Sequence, residues 1–113
     1  MKIYHNPRCS KSRQTLQRIR DRGIEPEVIE YLKNPPTTDE LDQILRLLNL
    51  EPQQLLRMKE PEAKAIVAEH LDRNTLIERM VAQPKCIERP IVVSGTRAAI
   101  GRPPENVDPL FES

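Results

Sequence analysis

One cysteine, Cys9, lies in a turn between a short apolar segment and a run of helix-forming residues, within the sequence YHNPRCSKSR at positions 4–13. A cysteine at the start of a helix faces backbone N–H groups and the positive end of the helix dipole, and both stabilise a thiolate over a thiol. Arg8, Lys11 and Arg13 add positive charge nearby. The sequence therefore predicts a nucleophilic Cys9 thiolate near the surface. A small hydrophobic cysteine packed at a helix start is the alternative.

Two polar residues next to this turn could assist the thiolate. Ser12 follows Cys9 by one helical turn and could donate a hydrogen bond to its sulfur, and a solvent-facing helix serine is the alternative. His5 precedes the turn and could relay protons or raise the thiolate fraction. A histidine at a strand end that bonds only to the backbone is the alternative for His5.

Any second thiol must come from outside the Cys-x-x-Ser motif that Cys9 and Ser12 form. A Cys-x-x-Cys motif resolves an oxidised or derivatised sulfur internally, whereas Cys9 has no such neighbour. Cys86 could supply the thiol in principle. Its apolar neighbour Ile87 and the absence of a helix start favour a half-buried structural cysteine instead.

Three arginines, Arg57, Arg89 and Arg102, lie where regular elements begin or end beside Pro or Gly, and side chains at such junctions often face clefts. Convergent guanidinium groups would bind a tetrahedral oxyanion through charge-assisted hydrogen bonds. For each arginine alone, a solvated surface charge is the alternative. That alternative explains the arginines of the first predicted helix better: Arg13, Arg18, Arg20 and Arg22.

The composition limits the class of protein. A chain of 113 residues fits one domain. Hydrophobic residues make up 37% and aromatic residues 3%, so the core must be aliphatic. Eighteen basic residues nearly cancel 17 acidic ones, and a net charge of +1 gives no general attraction to nucleic acid or membranes. The start lacks the apolar core of a signal peptide, and no apolar run approaches about 18 residues. We therefore expect a soluble cytoplasmic protein, without a structural disulfide or a metal site.

The N-terminal third predicts a β-α-β unit. Residues 2–5 form a strand candidate that Asn6-Pro7 ends. A helix can run from Ser10 to about Arg22, with Leu16 and Ile19 on its inner face and Gly23 as its stop. Residues 27–32 are rich in branched and aromatic side chains, which predicts a second strand, parallel to the first.

Residues 37–83 predict a helical middle. A capping box at Thr37 and Glu40 begins a helix whose apolar residues recur at helical spacing. Pro52 and Pro61 can each begin a further helical segment, and Asn74 can cap a last helix. This stretch follows the second strand.

The period of two returns near the C-terminus. Residues 90–93, a turn at Ser94-Gly95 and residues 96–100 predict a β-hairpin. The tail from Glu105 is short and polar, and we expect it to be loose. The whole pattern predicts an α/β fold of the thioredoxin-like type: a four-stranded mixed sheet with a helical insertion at about 37–83, between the second strand and the C-terminal hairpin, in a single domain over residues 1–113.

These residues also resemble a known family, the glutaredoxin-linked arsenate reductases. The matching motifs are HNPxCxxSRxTL at positions 5–16, YLxxPPT at 31–37, LLR at 55–57, RPIVV at 89–93 and RPP at 102–104. Five motifs in the same order are far more specific than Cys-x-x-Ser alone. The resemblance covers residues 3 to about 107. The chain ends at Ser113, whereas many family members continue further, and we expect the site to survive this difference.

The resemblance implies a thioredoxin-like fold with Pro90 as its cis-proline. It also implies that Cys9 is the nucleophile, that His5 and Ser12 help to keep it ionised, and that three arginines hold the oxyanion: Arg57, Arg89 and Arg102. On this basis we expect a cytoplasmic arsenate reductase in which the Cys9 thiolate attacks arsenate. Glutathione, as co-substrate, would attack the adduct and glutaredoxin would resolve the mixed species, with no tightly bound cofactor.

Two alternatives remain within the same fold. A glutathione-dependent thiol or disulfide reductase would use the same Cys9 on an organic substrate. An Spx-like module that binds RNA polymerase typically carries Cys-x-x-Cys, so Ser12 disfavours that assignment.

Overall fold

The structure is a computed structural model that describes residues 1–112. Its internal contacts divide the chain into two compact units. The first, which we call the sheet unit, combines Met1–Asn34 with the described residues from Arg89 onward, and the second, the helical unit, is Pro35–Glu88. The prediction that these segments form one domain stays a prediction.

The sheet unit contains all four strands and one long helix. Its elements are β1 (Lys2–His5), α1 (Ser10–Asp21), β2 (Glu27–Glu30), β3 (Ile91–Ser94) and β4 (Arg97–Ile100), followed by a 3₁₀ helix at Pro104–Phe111. The strand order is β2-β1-β3-β4. The β1 and β2 strands are parallel, whereas β3 is antiparallel to both β1 and β4. The predicted four-stranded mixed sheet is confirmed.

An aliphatic core joins the sheet to α1. It comprises Ile3, Leu16, Ile19, Val92, Val107 and Leu110. Burying each of these side chains contributes about 1.5–3 kcal/mol. Leu16 and Ile19 face this core as predicted, and Gly23 follows α1 with a φ of +78°, which favours glycine.

The C-terminal segment is packed, so the prediction that it is loose was wrong. Val107 is fully buried, and Leu110 is 8% exposed within the same core. Arg97 also donates hydrogen bonds to the carbonyl oxygens of Pro109 and Glu112. Apolar side chains in a polar-looking segment therefore anchor it to the sheet unit.

Two α1 arginines assigned to a solvated surface have partners in that segment, which corrects the assignment. Arg18 forms two hydrogen bonds of 2.6 Å with the Asp108 carboxylate. The Arg22 guanidinium lies 4.7 Å from the centroid of the Phe111 ring. The arginines of α1 therefore tie the helix to the C-terminal segment.

The helical unit contains α2 (Thr38–Leu48), α3 (Pro61–Ala68) and α4 (Arg73–Ala82), with 3₁₀ turns at Pro52–Leu55 and Pro84–Cys86. The predicted capping box at Thr37 and Glu40 is confirmed. The predicted cap at Asn74 was wrong: the Asp72 carboxylate accepts the Thr75 N–H at 2.8 Å, and α4 begins one residue earlier than that cap requires. An isolated antiparallel bridge pairs Leu56 with Ile87. None of the helices within residues 1–112 is both long and apolar enough to cross a membrane.

Candidate active site

The loop between β1 and α1 holds Cys9 at the first helical boundary. Cys9 is the N-cap residue of α1, with an extended backbone (φ −94°, ψ 122°). Its N–H donates to the Asn6 carbonyl, and its own carbonyl accepts the Arg13 N–H, each at 3.0 Å. The Asn6 side chain accepts the Arg8 N–H at 3.0 Å. These bonds fix the Cys9 side chain beside the free N–H groups of the first helical turn.

The surroundings of Cys9 lower its thiol pKa below the ordinary value. Partial burial raises the pKa, but this effect is outweighed by the Ser12 N–H, then by the Arg89 guanidinium and then by the Lys11 N–H, all of which stabilise the thiolate. The strongest cationic contribution comes from Arg89, which is remote in sequence, rather than from the neighbouring basic residues. The structure therefore supports a thiolate at Cys9, and it changes which cation is responsible.

Two of the three predicted arginines lie at Cys9. An Arg102 Nη1 donor is 3.8 Å from the Cys9 Sγ. Arg89 hydrogen-bonds the same sulfur and is only 9% exposed. Its Nε has no hydrogen-bond partner within residues 1–112. A buried donor next to two cationic groups and a thiolate is suited to a small oxyanion.

A set of buried contacts connects α1 to the segments that carry these arginines. The Arg89–Pro90 and Arg102–Pro103 peptide bonds are both cis, and the first is where the resemblance places the cis-proline. The Gly101 N–H donates to the Pro90 carbonyl at 2.9 Å. The Thr15 hydroxyl lies 2.8 Å from the Lys11 carbonyl oxygen and 3.2 Å from that of Gly101.

Gly101 and Thr15 were not recognised as site residues from sequence. A Cβ on Gly101 would lie 2.5 Å from the Thr15 Oγ1 and 2.9 Å from the Pro90 Cγ, so only glycine fits. Thr15 is fully buried. The glycine directly before Arg102 was visible in the sequence, but its partner 86 residues earlier was not.

His5 and Ser12 form a buried pair next to the loop. The His5 Nδ1 lies 2.6 Å from the Ser12 Oγ, which also accepts the Asn6 N–H at 3.0 Å. Ser12 is fully buried, so the solvent-facing alternative was wrong. Burial lowers the His5 pKa, Glu30 opposes this, and Arg20 lowers the pKa further, so His5 is largely neutral at pH 7.

Arg57 and Cys86 belong to the helical unit. The Arg57 Nη1 pairs with the Glu60 Oε1 at 2.8 Å. Cys86 is fully buried, and burial, followed by Glu62 and Glu60, raises its thiol pKa. The structural interpretation of Cys86 is confirmed, with complete rather than half burial. The role of Arg57 stays a prediction. Within residues 1–112, no group of three or more His, Cys, Asp or Glu side chains could hold a metal ion.

Comparisons with known proteins agree with this geometry. The family model described as the ArsC family matches residues 4–110. The uncharacterized protein YfgD of Escherichia coli (strain K12) is 46% identical over 110 residues, which cover 95% of this chain and 92% of that protein. The arsenate reductase of Neisseria meningitidis serogroup A is 40% identical over 114 residues, which cover 98% of this chain and 97% of the relative.

A solved structure confirms the fold. The arsenate reductase from Vibrio cholerae is 43% identical and superposes with a TM-score of 0.91, over 97% of this chain and 98% of that one. This similarity confirms the thioredoxin-like fold that the element pattern and the motifs predicted. With the family model spanning nearly all of the sequence, the chain belongs to the ArsC family.

Proposed function

We propose that this protein is an arsenate reductase, an oxidoreductase that converts arsenate to arsenite with thiols as the reductant. One observation carries the proposal: Arg89 and Arg102 contact the sulfur of a cysteine at a helix N-terminus whose thiol pKa is lowered. A thiolate between two guanidinium groups can receive an oxyanion and attack its central atom. Relatives named arsenate reductases, at 40–43% identity, support arsenate as that anion.

In the first step the Cys9 thiolate attacks arsenic. A sulfur–arsenic bond forms and one arsenic–oxygen bond breaks, and the oxygen leaves as water after it takes up protons from solvent. Arsenic stays in the +5 state, so this step transfers no electrons. Arg89 and Arg102 hold the remaining oxygens and offset the charge that develops on them.

In the second step a thiolate from outside attacks the Cys9 sulfur. A sulfur–sulfur bond forms, the sulfur–arsenic bond breaks, and its electron pair remains on arsenic, which leaves as arsenite in the +3 state. The two sulfurs are oxidised to one disulfide, which balances the two electrons that arsenic gains. We propose glutathione as this thiol and glutaredoxin as the protein that then reduces the mixed disulfide. Both require the reducing conditions of the cytoplasm.

His5 and Ser12 are proposed to keep the attacking residue ionised. The Ser12 N–H acts on the Cys9 sulfur directly, while its hydroxyl is held by His5, so the pair fixes the first turn of α1. Arg57 is proposed as a third ligand of the oxyanion on the strength of its motif position alone. Its ion pair with Glu60 would have to exchange for the substrate.

The test is steady-state arsenate reduction with glutathione and glutaredoxin supplied. We expect Cys9→Ser to abolish turnover and Cys86→Ala, the matched change at the other cysteine, to leave the rate within about twofold, because Cys86 is buried away from solvent. A Cys9→Ser variant as active as the wild type would overturn the mechanism. Wild-type activity on a glutathione mixed disulfide, with none on arsenate, would favour the thiol reductase instead.

A further inference from the structure

A small cavity of about 200 Å³ adjoins the cysteine loop. Its walls come from the end of β1 and the loop after it, and from the end of β2 and the turn that follows: His5, Asn6, Pro7, Arg8, Glu30, Leu32 and Lys33. The substrate arginines come from the opposite neighbour of β1, since Arg89 precedes β3 and Arg102 follows β4. The strand order β2-β1-β3-β4 therefore puts the cavity and the arginines on opposite sides of the cysteine loop.

The lining of this cavity combines charge with an exposed apolar side chain. Leu32 is 45% exposed, which is unusual for a large apolar residue of this chain. Arg8 and Lys33 contribute two cations, and Glu30 contributes one carboxylate, 3.7 Å from the Lys33 Nζ. Within residues 1–112 the Arg8 guanidinium has no hydrogen bond or ion pair, so it is available to a ligand.

We propose that this cavity binds the second substrate, a peptide thiol of the glutathione class, and presents its sulfur to Cys9. The inference rests on the proposed function, which requires a thiol from outside the chain. Ser12 occupies the position of a resolving cysteine, and Cys86 is fully buried, so neither supplies that thiol from the described residues.

The stereochemistry of the second step favours this side of the loop. A thiolate that displaces a group from sulfur approaches opposite the bond that breaks. Arsenic is held on the side of Arg89 and Arg102, so the incoming thiolate must reach the Cys9 sulfur from the other side. That is the β2 side, where the cavity lies. Both substrates can then occupy the protein together without competing for one space.

The charges of the cavity match those of the ligand. Glutathione carries two carboxylates and one ammonium group, and the cavity offers two cations and one carboxylate. The volume of about 200 Å³ is below the range of about 300–1,000 Å³ for sites of drug-sized ligands. The cavity therefore encloses part of the tripeptide, and Leu32 covers an apolar part of its surface.

The first experiment is an NMR titration of the isotope-labelled protein with S-methylglutathione, which has no free thiol and cannot react. We expect amide shifts confined to residues 5–8 and 30–33. The titration needs no turnover, so it tests the cavity even if the protein fails to reduce arsenate. Shifts elsewhere only, or shifts that reduced glutaredoxin produces and S-methylglutathione does not, would overturn the proposal.

The second experiment measures the KM for each substrate in a charge-reversal pair. Lys33→Glu should raise the KM for glutathione about tenfold, the size expected on losing one hydrogen bond to a charged group, and leave the KM for arsenate unchanged. Lys2→Glu is the matched control, because Lys2 is an exposed lysine at the other end of β1. Equal effects of the two variants, or an effect of Lys33→Glu on arsenate alone, would overturn the inference. Failure of the wild type to reduce arsenate would overturn the proposed function instead.

Discussion

The two cysteines of this protein have almost the same local sequence and opposite chemical properties. Pro7-Arg8-Cys9 and Pro84-Lys85-Cys86 each place a basic residue between a proline and the cysteine. Cys9 is partly exposed and has a lowered thiol pKa, whereas Cys86 is fully buried and has a raised one. The neighbouring residues therefore do not decide reactivity.

The difference arises from what each backbone presents to the sulfur. Cys9 begins a helix of 12 residues, so the free N–H groups of its first turn stabilise the thiolate. Cys86 ends a 3₁₀ turn of three residues. The adjacent cations differ as well, because Lys85 is paired with Glu62 at 2.7 Å, while the remote Arg89 acts on Cys9. A helix start and an imported guanidinium together make a reactive thiol.

Alkylation should show the largest contrast between the two thiols. With iodoacetamide at pH 7, we expect Cys9 to react more than about a hundredfold faster than Cys86, because it has both a larger thiolate fraction and access to solvent. The measurement is the time course of mass change at each cysteine after proteolysis. In denaturant the two rates should become similar, which controls for intrinsic reactivity.

The pH dependence of alkylation adds a directional check. Because the thiolate is the reacting form, the Cys9 rate should rise with pH through a midpoint below that of an ordinary thiol. The Cys86 midpoint should lie above it. Coinciding midpoints in the folded protein would remove the comparison on which the assignment of Cys9 rests.

Arg89→Met should move Cys9 toward the behaviour of Cys86. Loss of the guanidinium removes a hydrogen bond and a positive charge from the thiolate, so the Cys9 pKa rises and its alkylation midpoint shifts to higher pH. Arsenate reduction should fall by about tenfold or more, the cost of one charged hydrogen bond to the oxyanion. The alkylation profile of Cys86 serves as the internal control and should stay where it is.

An unchanged Cys9 midpoint in Arg89→Met would mean that the helix N-terminus alone ionises the sulfur. The direct comparison is then Arg8→Met, which removes a neighbouring cation that has no leading effect on the Cys9 pKa. We expect that variant to shift the midpoint less than Arg89→Met does.

Much of the sheet unit was predictable from sequence because its information is local. The Asn-Pro turn, the Cys9 helix start and Gly23 lie next to one another along the chain, and the strands carry apolar residues in short runs. Arg89 and Arg102 were singled out by their junction positions and by motifs. Their approach to Cys9 depends on contacts between segments some 80 to 93 residues apart, which periodicity cannot reveal.

The failures share one physical cause, which is a partner distant in sequence. Val107 and Leu110 look like isolated apolar residues in a polar tail until the core of the sheet unit is known. Ser12 looks like a surface serine until His5 is placed against it. Asp72 and Asn74 are both good helix caps, and only the structure decides which carboxylate or amide reaches a free N–H.

Gly101→Ala should disturb Cys9 but not Cys86. The new Cβ would lie 2.5 Å from the Thr15 Oγ1, and overpacking of this kind costs about 1–3 kcal/mol of unfolding free energy. Relief of the clash must move the segment that carries Arg102, so the Cys9 alkylation rate and the KM for arsenate should both change. Urea unfolding and alkylation measure the two effects.

Gly23→Ala is the matched control for that variant. Gly23 has a φ of +78° but open space around its Cβ position, so the substitution should cost about 1–2 kcal/mol from backbone strain alone. Its Cys9 alkylation should remain that of the wild type. If both alanine variants change Cys9 equally, general destabilisation rather than the Thr15–Gly101 contact explains the result.

Cys86→Ala should produce the smallest effect and complete the comparison. The substitution removes one buried sulfur from a site with 0% exposure, so we expect the unfolding free energy to fall by about 1 kcal/mol, the cost of removing one methylene-sized group. Cys86→Ser should cost more, because its hydroxyl is buried and polar in a site adapted to a weakly polar thiol. In both variants the alkylation midpoint of Cys9 should stay unchanged. Urea unfolding gives the stabilities, and a shift of the Cys9 midpoint in either variant would show that the two thiols are coupled rather than independent.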